Sequence, residues 1–225
     1  MILSAHQPAY LPWLGYLDKV ARADVFVYLD TVQFEKNSFI NRNRIKTPHG
    51  PQWLTIPVKL KGHLSQTLRD TQIEPRHTWV TKHLKSIQMN YSKAGFFGAC
   101  WAKLEALMAD EQTVLAELCW RQLRFWLNEF GITTRVVRSS ELVLTGSKSD
   151  LILELCRHFS ADHYLSGALG RDYLKAEKFK AAGIELEFQH YVSPVYSQLW
   201  GAFVPNLSVV DYWLNCGSAP PIGRN

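Results

Sequence analysis

The sequence predicts an α/β protein with a Rossmann-like, mainly parallel sheet that carries an antiparallel hairpin and a helical insertion. Three observations support this fold class. Short β-rich runs alternate with helical stretches, two further β-rich runs flank a Pro- and Gly-containing turn, and a block with helical spacing of apolar residues follows them. At 225 residues the chain is long enough for one large domain. We therefore expect a single domain over 1–225, with the hairpin at about 37–60 and the helical block at about 76–131.

Five runs rich in β-branched and aromatic residues are predicted as strands of the parallel sheet: ILSA, VFVYL, TRVVR, DHYLS and ELEFQ. Helices are predicted at LGYLDKVARA, TVLAELCWRQLRFWLNEF, DLILELCRHF and RDYLKAEKFKAAG. Alternation of this kind indicates βαβ units, in which the carboxyl ends of neighbouring strands face one crevice. The loops that follow the strands are therefore the first place to look for function.

The predicted hairpin consists of SFINRNRIKT and QWLTIPVKL, which flank the turn sequence PHGP. Strict alternation along its first strand puts Asn41 and Asn43 on one face and Arg42 and Arg44 on the other. Phe39 would share the face of the asparagines. One of the two pairs faces solvent, and hydrophobicity does not decide which.

The positive charge is concentrated in one part of the chain. The formal net charge is +5, and the segment 36–61 contains no Asp or Glu but carries Lys36, Arg42, Arg44, Lys46, Lys59 and Lys61. Basic residues often protect the exposed edges of strands, which is one interpretation of this segment. The other is that it binds an anionic ligand, either the phosphates of a small molecule or a nucleic acid.

Several classes of protein are disfavoured by what the sequence lacks. No apolar run approaches the ~20 residues of a membrane span, and the first residues do not resemble a signal peptide, so we expect a cytoplasmic protein. The four cysteines form no CxxC pair, which argues against a zinc knuckle or a disulfide framework. Neither a GxGxxG nor a Walker sequence occurs, so the cofactor stays unknown. No metal set is predicted, although magnesium held by Asp30 and Asp172 through a ligand's phosphates stays open.

The stretch HQPAYLPWLG, directly after the first predicted strand, is the main candidate for chemistry. Its prolines would hold His6 and Gln7 toward the crevice, where the imidazole could act as a general base or as a hydrogen-bond donor to the transition state near neutral pH. Tyr10 or Trp13 would stack on a base or sugar. Asp30, after the second strand, would orient His6 or a hydroxyl of the ligand. The alternative is a rigid structural turn with packed aromatic residues.

The other walls of the predicted pocket come from three segments. In the hairpin, Asn37 and Asn41 offer amide groups, and Arg42 or Arg44 would grip a phosphate. After DHYL, backbone N–H groups before a helix that begins near Arg171 would approach an anion. The residues predicted to bind substrate in this segment and in the final one are Ser166, Gly167, Arg171, Asp172, Tyr173, His190, Tyr196 and Gln198.

Four stretches, in the same order, resemble the WbqC-like protein family: HQPAYLPWLGYLDKVARADVFVYLD, NSFINRNRIKTPHGPQWLTIPV, ADHYLSGALGRDYL and SPVYSQLWGAFVPNLSVVDYWLNCG. The resemblance runs nearly from end to end. It implies an association with gene clusters for O-antigen and other surface polysaccharides, and hence nucleotide-linked sugars or acylated derivatives as substrates.

We therefore predict a transferase-like enzyme of surface-polysaccharide biosynthesis that acts on an anionic small molecule such as a nucleotide sugar. Two alternatives stay open. One is a nucleic-acid-binding module that uses the basic segment 36–61, although no recognisable binding motif supports it. The other is a non-catalytic scaffold for glycan enzymes. The sequence does not predict an oligomeric state.

Overall fold

The computed structural model describes residues 1–59, 66–109, 111–219 and 222. The strands in chain order are β1 (Ile2–His6), β2 (Val25–Tyr28), β3 (Arg42–Thr47), β4 (Gly50–Thr55), β5 (Arg135–Arg138), β6 (His163–Ser166) and β7 (Glu185–Phe188). The α-helices are α1 (Leu14–Arg22), α2 (Val80–Tyr91), α3 (Phe97–Met108), α4 (Leu115–Glu129), α5 (Lys148–His158), α6 (Ala176–Ala181) and α7 (Val209–Cys216).

Five strands form a parallel sheet in the order β5-β2-β1-β6-β7, which confirms the predicted α/β fold class. The chain first runs from β1 outward to β2, and β6 later pairs with the other edge of β1. The strand order therefore reverses between β1 and β6. In open α/β sheets, ligands bind at the carboxyl ends of the strands at such a reversal. His6 ends β1 and Ser166 ends β6.

Buried side chains pack on both faces of this sheet, as expected for a parallel sheet. Phe26 and Tyr28 share one core with α1, α4, α7 and the inserted elements. Leu3 and Val27 share the other core with α5 and α6. His6 pairs in register with Tyr28 and so points toward the α1 face.

The hairpin has the predicted antiparallel pairing, with Arg44 opposite Trp53 and Thr47 opposite Gly50. Gly50 has φ +102°, a conformation that glycine adopts without steric strain. Asn41 and Asn43 are buried, whereas Arg42 and Arg44 are half-buried on the opposite face. The arginines are thus the outward pair. Position 60 of the predicted hairpin and Lys61 of the basic segment lie outside the described residues.

Phe39 does not lie on the face of Asn41 and Asn43, where the two-residue alternation of the strand predicts it. The segment before Arg42 consists of turns rather than strand, so the two-residue period does not apply there. The Phe39 ring is 37% exposed and packs against Trp53. It therefore lies on the side of the arginines.

The predicted helix beginning near Arg171 is wrong in its position. The chain forms a 3₁₀ turn at Ala168–Asp172, and α6 begins only at Ala176. The backbone N–H of Lys175 donates to Ser149 Oγ over 3.0 Å, which takes that group away from a continuous helix. Gly167 and Gly170 are therefore not at the start of a long helix, and the anion site predicted from a helix N-terminus loses its basis.

The irregular segment after β7 returns across α1. Gln189 Nε2 donates to the carbonyl of Gly15 over 2.9 Å and to Asp18 Oδ2 over 2.8 Å. The ring of Tyr191 lies so close to Gly15 that a Cβ there would be 2.6 Å from it. As a result, α1 is buried from Leu14 to Val20. Within the described residues, no helix has both the length and the hydropathy needed to span a bilayer.

Candidate functional site

His6 lies at the carboxyl end of the central strand with its ring orientation fixed. Its Nδ1 is 2.9 Å from the carbonyl oxygen of Gln7. A carbonyl only accepts hydrogen bonds, so Nδ1 carries the proton and Nε2 carries the lone pair. Among the described residues, no hydrogen-bond partner of Nε2 is present. The ring packs edge-on against Trp13 and Tyr16, with centroid distances of 5.8 and 5.0 Å.

The imidazole is neutral at neutral pH. Burial, together with the nearby charge of Lys19, lowers the pKa of His6 to about 3, against the opposing effect of the Gln7 carbonyl. A general base works best with a pKa near the working pH. A pKa this low does not suit a general base at neutral pH, so the catalytic role of His6 stays a prediction, and the Nε2 lone pair of the neutral ring is able to accept a hydrogen bond.

Lys19 is a functional candidate that the sequence reasoning missed. Its side chain points from α1 to the end of β1, where Nζ donates to the carbonyl of Ala5 over 3.1 Å. The residue is 2% exposed, and the described residues provide it with no ion pair. Burial lowers the pKa of Lys19 to about 7. The helical spacing could have indicated this position. Lys19 follows Gly15 by four residues and Tyr16 by three, so it lies on the same helix face as these two residues, and that face packs against His6.

A chain of ring contacts leads from His6 to the hairpin. The ring centroids of Trp13 and Phe39 are 5.3 Å apart, and those of Phe39 and Trp53 are 5.6 Å apart. The guanidinium carbons of Arg42 and Arg44 lie 4.3 and 5.4 Å from the centre of the Trp53 ring. We call this set the aromatic–arginine row: His6, Trp13, Phe39, Trp53, Arg42 and Arg44.

The two arginines keep hydrogen-bonding capacity for a ligand. Arg42 donates to the backbone carbonyl of Asn37 and, over 3.4 Å, to its Oδ1. In the described part of the chain neither arginine forms an ion pair, and the buried Nε of each has no hydrogen-bond partner. Asn37 thus contacts Arg42, one of the two predicted arginines. The positive charges of both arginines lie beside the exposed Trp53 ring.

The loop after β6 lies beside Lys19 rather than beside the hairpin. An ideal Cβ at Gly167 would be 3.5 Å from Lys19 Nζ. Ser166 is 2% exposed and donates to the carbonyl of Gly167 over 3.0 Å. Gly170 packs on Ser166 so closely that a Cβ there would lie 2.0 Å from Ser166 Oγ. These residues thus pack closely at the carboxyl end of β6, beside the Lys19 amine.

Asp30 does not orient His6. Its Oδ1 accepts hydrogen bonds from Ser139 Oγ over 2.8 Å and from the backbone N–H of Ser140 over 2.9 Å, while its Oδ2 accepts from Ser140 Oγ over 2.6 Å. The residue is 2% exposed. Both oxygens are used to attach the end of β2 to the turn after β5, so the prediction of a catalytic Asp30 is replaced by a structural role. The same contacts leave no support for the magnesium ion considered with Asp172.

Tyr10 and Asn41 are also used inside the protein. Tyr10 is fully buried, and its hydroxyl lies 2.8 Å from His83 Nδ1 in the inserted helix α2. Asn41 Nδ2 donates to the carbonyl of Ile56 over 2.8 Å. The Tyr10 ring is therefore not available to stack on a ligand, and Asn41 is buried with its Oδ1 left without a hydrogen-bond partner among the described residues.

Tyr196 and Gln198 belong to a buried network around Asp211. The Tyr196 hydroxyl donates to Asp211 Oδ2 over 2.7 Å, and Gln198 Nε2 donates to the same oxygen over 2.9 Å. Gln198 Oε1 accepts from Lys46 Nζ over 3.0 Å. The two residues therefore attach the segment after β7 to α7 and the hairpin.

The remaining predicted residues lie at the surface outside the row. The guanidinium carbon of Arg171 is 4.6 Å from the centre of the Phe188 ring. Asp172, Tyr173 and His190 are exposed. The structure thus brings together His6, the backbone of Gln7, Trp13, Asn37, Arg42 and Arg44, and it places Ser166 and Gly167 beside Lys19. The described residues contain no cluster of three His, Cys, Asp or Glu side chains arranged to hold a metal ion.

Comparisons with known proteins identify the relatives of this chain. The model of the WbqC-like protein family matches residues 7–221. The chain is also 36% identical over 217 residues to the Mycobacterium tuberculosis protein named Uncharacterized protein Rv1507c, a match that covers 96% of this chain and 94% of that protein. No solved structure matches the chain.

Proposed function

Because the chain belongs to the WbqC-like protein family, we propose that it is an enzyme of surface-polysaccharide assembly that transfers a group from a nucleotide-linked sugar or an acyl donor. The family name supports the biological setting. The observation that carries the proposal is the aromatic–arginine row, which connects a strand-end histidine to two arginines without ion pairs among the described residues. A row of this composition suits a ligand with a flat base at one end and phosphates beside it.

Each part of the row has a role in this proposal. Trp53 and Phe39 are 41% and 37% exposed, so their rings are available to stack on a nucleobase. The planar forks of Arg42 and Arg44 bind phosphate oxygens. His6 Nε2 accepts a hydrogen bond from a hydroxyl or amine of the acceptor, which holds it near the reacting end of the donor. The donor therefore lies from the hairpin toward the end of β1.

A thermal-shift panel of nucleotide sugars, nucleoside triphosphates and acyl-CoA donors tests the proposal. A ligand at 100 times its Kd adds about 2.7 kcal/mol to the free energy of unfolding. We expect one ligand class to give this shift and the double variant Arg42→Ala/Arg44→Ala to lose it. Arg135→Ala is the matched control, because Arg135 also lies over an aromatic ring, that of Phe159, but begins β5 at the opposite end of the sheet. If no donor raises the melting temperature of the protein, the alternative of a non-catalytic scaffold is favoured.

A nucleic-acid-binding function is the second candidate, favoured by the same exposed rings of Phe39 and Trp53 beside arginines. Proteins that bind single strands stack bases on such rings along a basic surface. A salt series with single-stranded and double-stranded oligonucleotides separates the two functions. Tight binding with a steep salt slope would favour nucleic acid, whereas a donor-specific thermal shift with weak oligonucleotide binding supports the transferase.

A further inference from the structure

Lys19 is a buried amine with most of its hydrogen-bonding capacity unused. It is 2% exposed, and the carbonyl of Ala5 at 3.1 Å is the hydrogen-bond partner that the described residues give it. A charged lysine has three N–H donors, so two are left without an acceptor. A buried charge without a partner is strongly unfavourable. The fold nevertheless holds this amine at the reversal between β1 and β6.

The ionisable groups around Lys19 do not neutralise it. His6, at the end of β1, is the titratable group whose pKa responds to the lysine, and it is itself neutral. Asp18, next to Lys19 in α1, accepts a hydrogen bond from Gln189. Arg22, one turn further along α1, pairs with Glu187 of β7. Nearby carboxylates are thus directed toward other groups.

The β6 side of Lys19 is left free of a side chain. Gly167 follows β6, and a Cβ there would lie 3.5 Å from Nζ, in van der Waals contact with it. Gly167 has φ −68° and ψ 164°, which any residue adopts, so its backbone conformation does not require glycine. The absent methyl group instead leaves space beside the amine.

We propose that Lys19 is the cationic centre of an oxyanion subsite, which binds a carboxylate or phosphoryl group between β1 and Gly167. The anion accepts hydrogen bonds from the two remaining N–H groups of Lys19. It also supplies the negative charge that the surrounding side chains do not provide. This assignment deepens the proposed function, on which it rests for the identity of the natural ligand, because it places a second anionic group of the substrate beside His6. Binding itself requires no turnover and is measured separately.

Because burial lowers the pKa of the Lys19 amine to about 7, the binding of an anion is coupled to protonation of this amine. A bound oxyanion favours the charged amine and raises its pKa. Between pH 6 and pH 9 the amine changes from mostly charged to mostly neutral when no anion is bound. A rise of about one unit in this pKa on binding corresponds to about a 10-fold difference in affinity, so the affinity for an anion of constant charge should fall by close to 10-fold over this range.

The test uses protein labelled with ¹³C in its lysines, with the Lys19 Cε signal assigned by its absence from Lys19→Met. The pH titration is repeated in chloride, in sulfate as a tetrahedral stand-in for a phosphoryl group, and in acetate as a carboxylate. We expect one of the two oxyanions to raise the Lys19 midpoint by about one pH unit, and the anion that does so identifies the ligand class. Unchanged midpoints in both would overturn the proposal.

Three variants separate this subsite from general salt effects. Lys19→Met should lose saturable binding of the oxyanion, and Gly167→Ala should weaken it about 5-fold or more while keeping the wild-type melting temperature. Lys85→Met removes an exposed lysine of α2, outside both the basic segment and the proposed subsite, and should bind as the wild type does. Equal oxyanion binding by wild type and Lys19→Met would contradict the proposal.

The outcomes also distinguish this inference from the proposed function. If an oxyanion raises the titration midpoint of Lys19 but no donor binds the aromatic–arginine row, the subsite stands and the proposed transferase fails. If a donor binds through Arg42 and Arg44 while neither oxyanion changes the titration midpoint of Lys19, the proposed function stands and the subsite fails.

Discussion

The guanidinium carbon of Arg42 lies 4.3 Å from the centre of the Trp53 ring, and the same side chain donates to the backbone carbonyl of Asn37. The guanidinium is thus held over the indole ring, and within the described residues it forms no ion pair. If it grips a phosphate, Arg42→Ala should weaken donor binding by about 1.5–3 kcal/mol, the range for hydrogen bonds to charged groups. Arg42→Lys should rescue only partly, because an ammonium lacks the planar fork. Isothermal titration calorimetry measures both, and full rescue by lysine would contradict the stacked-fork geometry.

Asp30 is expected to matter for stability. Asp30→Ala removes the acceptor of three hydrogen bonds, which come from the hydroxyl of buried Ser139 and from the backbone N–H and hydroxyl of half-buried Ser140. The free energy of unfolding should fall by about 2–4 kcal/mol, as measured by urea denaturation. Ser140→Ala, which removes one of these donors, should cause a smaller loss. A fully stable but inactive Asp30→Ala protein would instead restore the catalytic role predicted from the sequence.

Lys19 should lower stability in a pH-dependent way. The pKa of Lys19 falls from 10.5 to about 7 on folding, so between these values the unfolded chain holds a proton that the folded chain lacks. The free energy of unfolding therefore rises with pH across this window, by about 1.4 kcal/mol per unit. Below pH 7 the penalty is complete, and above pH 10.5 it disappears.

Lys19→Met consequently should be more stable than the wild type at pH 7, with the advantage decreasing toward pH 10. Urea denaturation of both proteins at several pH values measures the difference. Lys180→Met provides the control, because Lys180 is exposed, lies in α6 and forms no ion pair among the described residues. A Lys19→Met protein less stable than the wild type at pH 7 would show that the amine stabilises the fold.

The two glycines after β6 should respond differently to alanine. At position 170 the new methyl group would lie 2.0 Å from Ser166 Oγ, so Gly170→Ala should cost about 1–3 kcal/mol. Gly167→Ala introduces only a contact of ordinary length and should leave the melting temperature unchanged. Adding Ser166→Ala to Gly170→Ala should recover part of the loss. Equal melting temperatures for the two single variants would contradict the packing described here.

Local sequence signals predicted the fold well. The β-rich runs gave the strands, and the two-residue period separated the buried Asn41 and Asn43 from the outward Arg42 and Arg44. The pattern failed at Phe39 because the strand had not yet begun. It also failed after Arg171, where the hydrogen bond from Lys175 to Ser149 interrupts the helix.

The candidate site was harder to predict because distant partners decide which polar side chains are available. Asp30 is occupied by serines about 110 residues away, and Tyr10 by His83 of an inserted helix. Lysine in a short amphipathic helix normally faces solvent. Lys19 is buried instead, because the chain after β7 returns across α1 at Gly15 and Asp18. No local pattern contains that return.

The central claim is that His6, Trp13, Trp53 and the two arginines bind one ligand. The indole N–H signals of Trp13 and Trp53, assigned with Trp13→Phe and Trp53→Phe variants, report on both ends of the row during an NMR titration with the donor identified by the thermal-shift panel. We predict that this donor moves both signals with a single Kd, and that Arg42→Ala/Arg44→Ala abolishes both changes. A donor that the protein turns over while both indole signals stay in place would contradict the account.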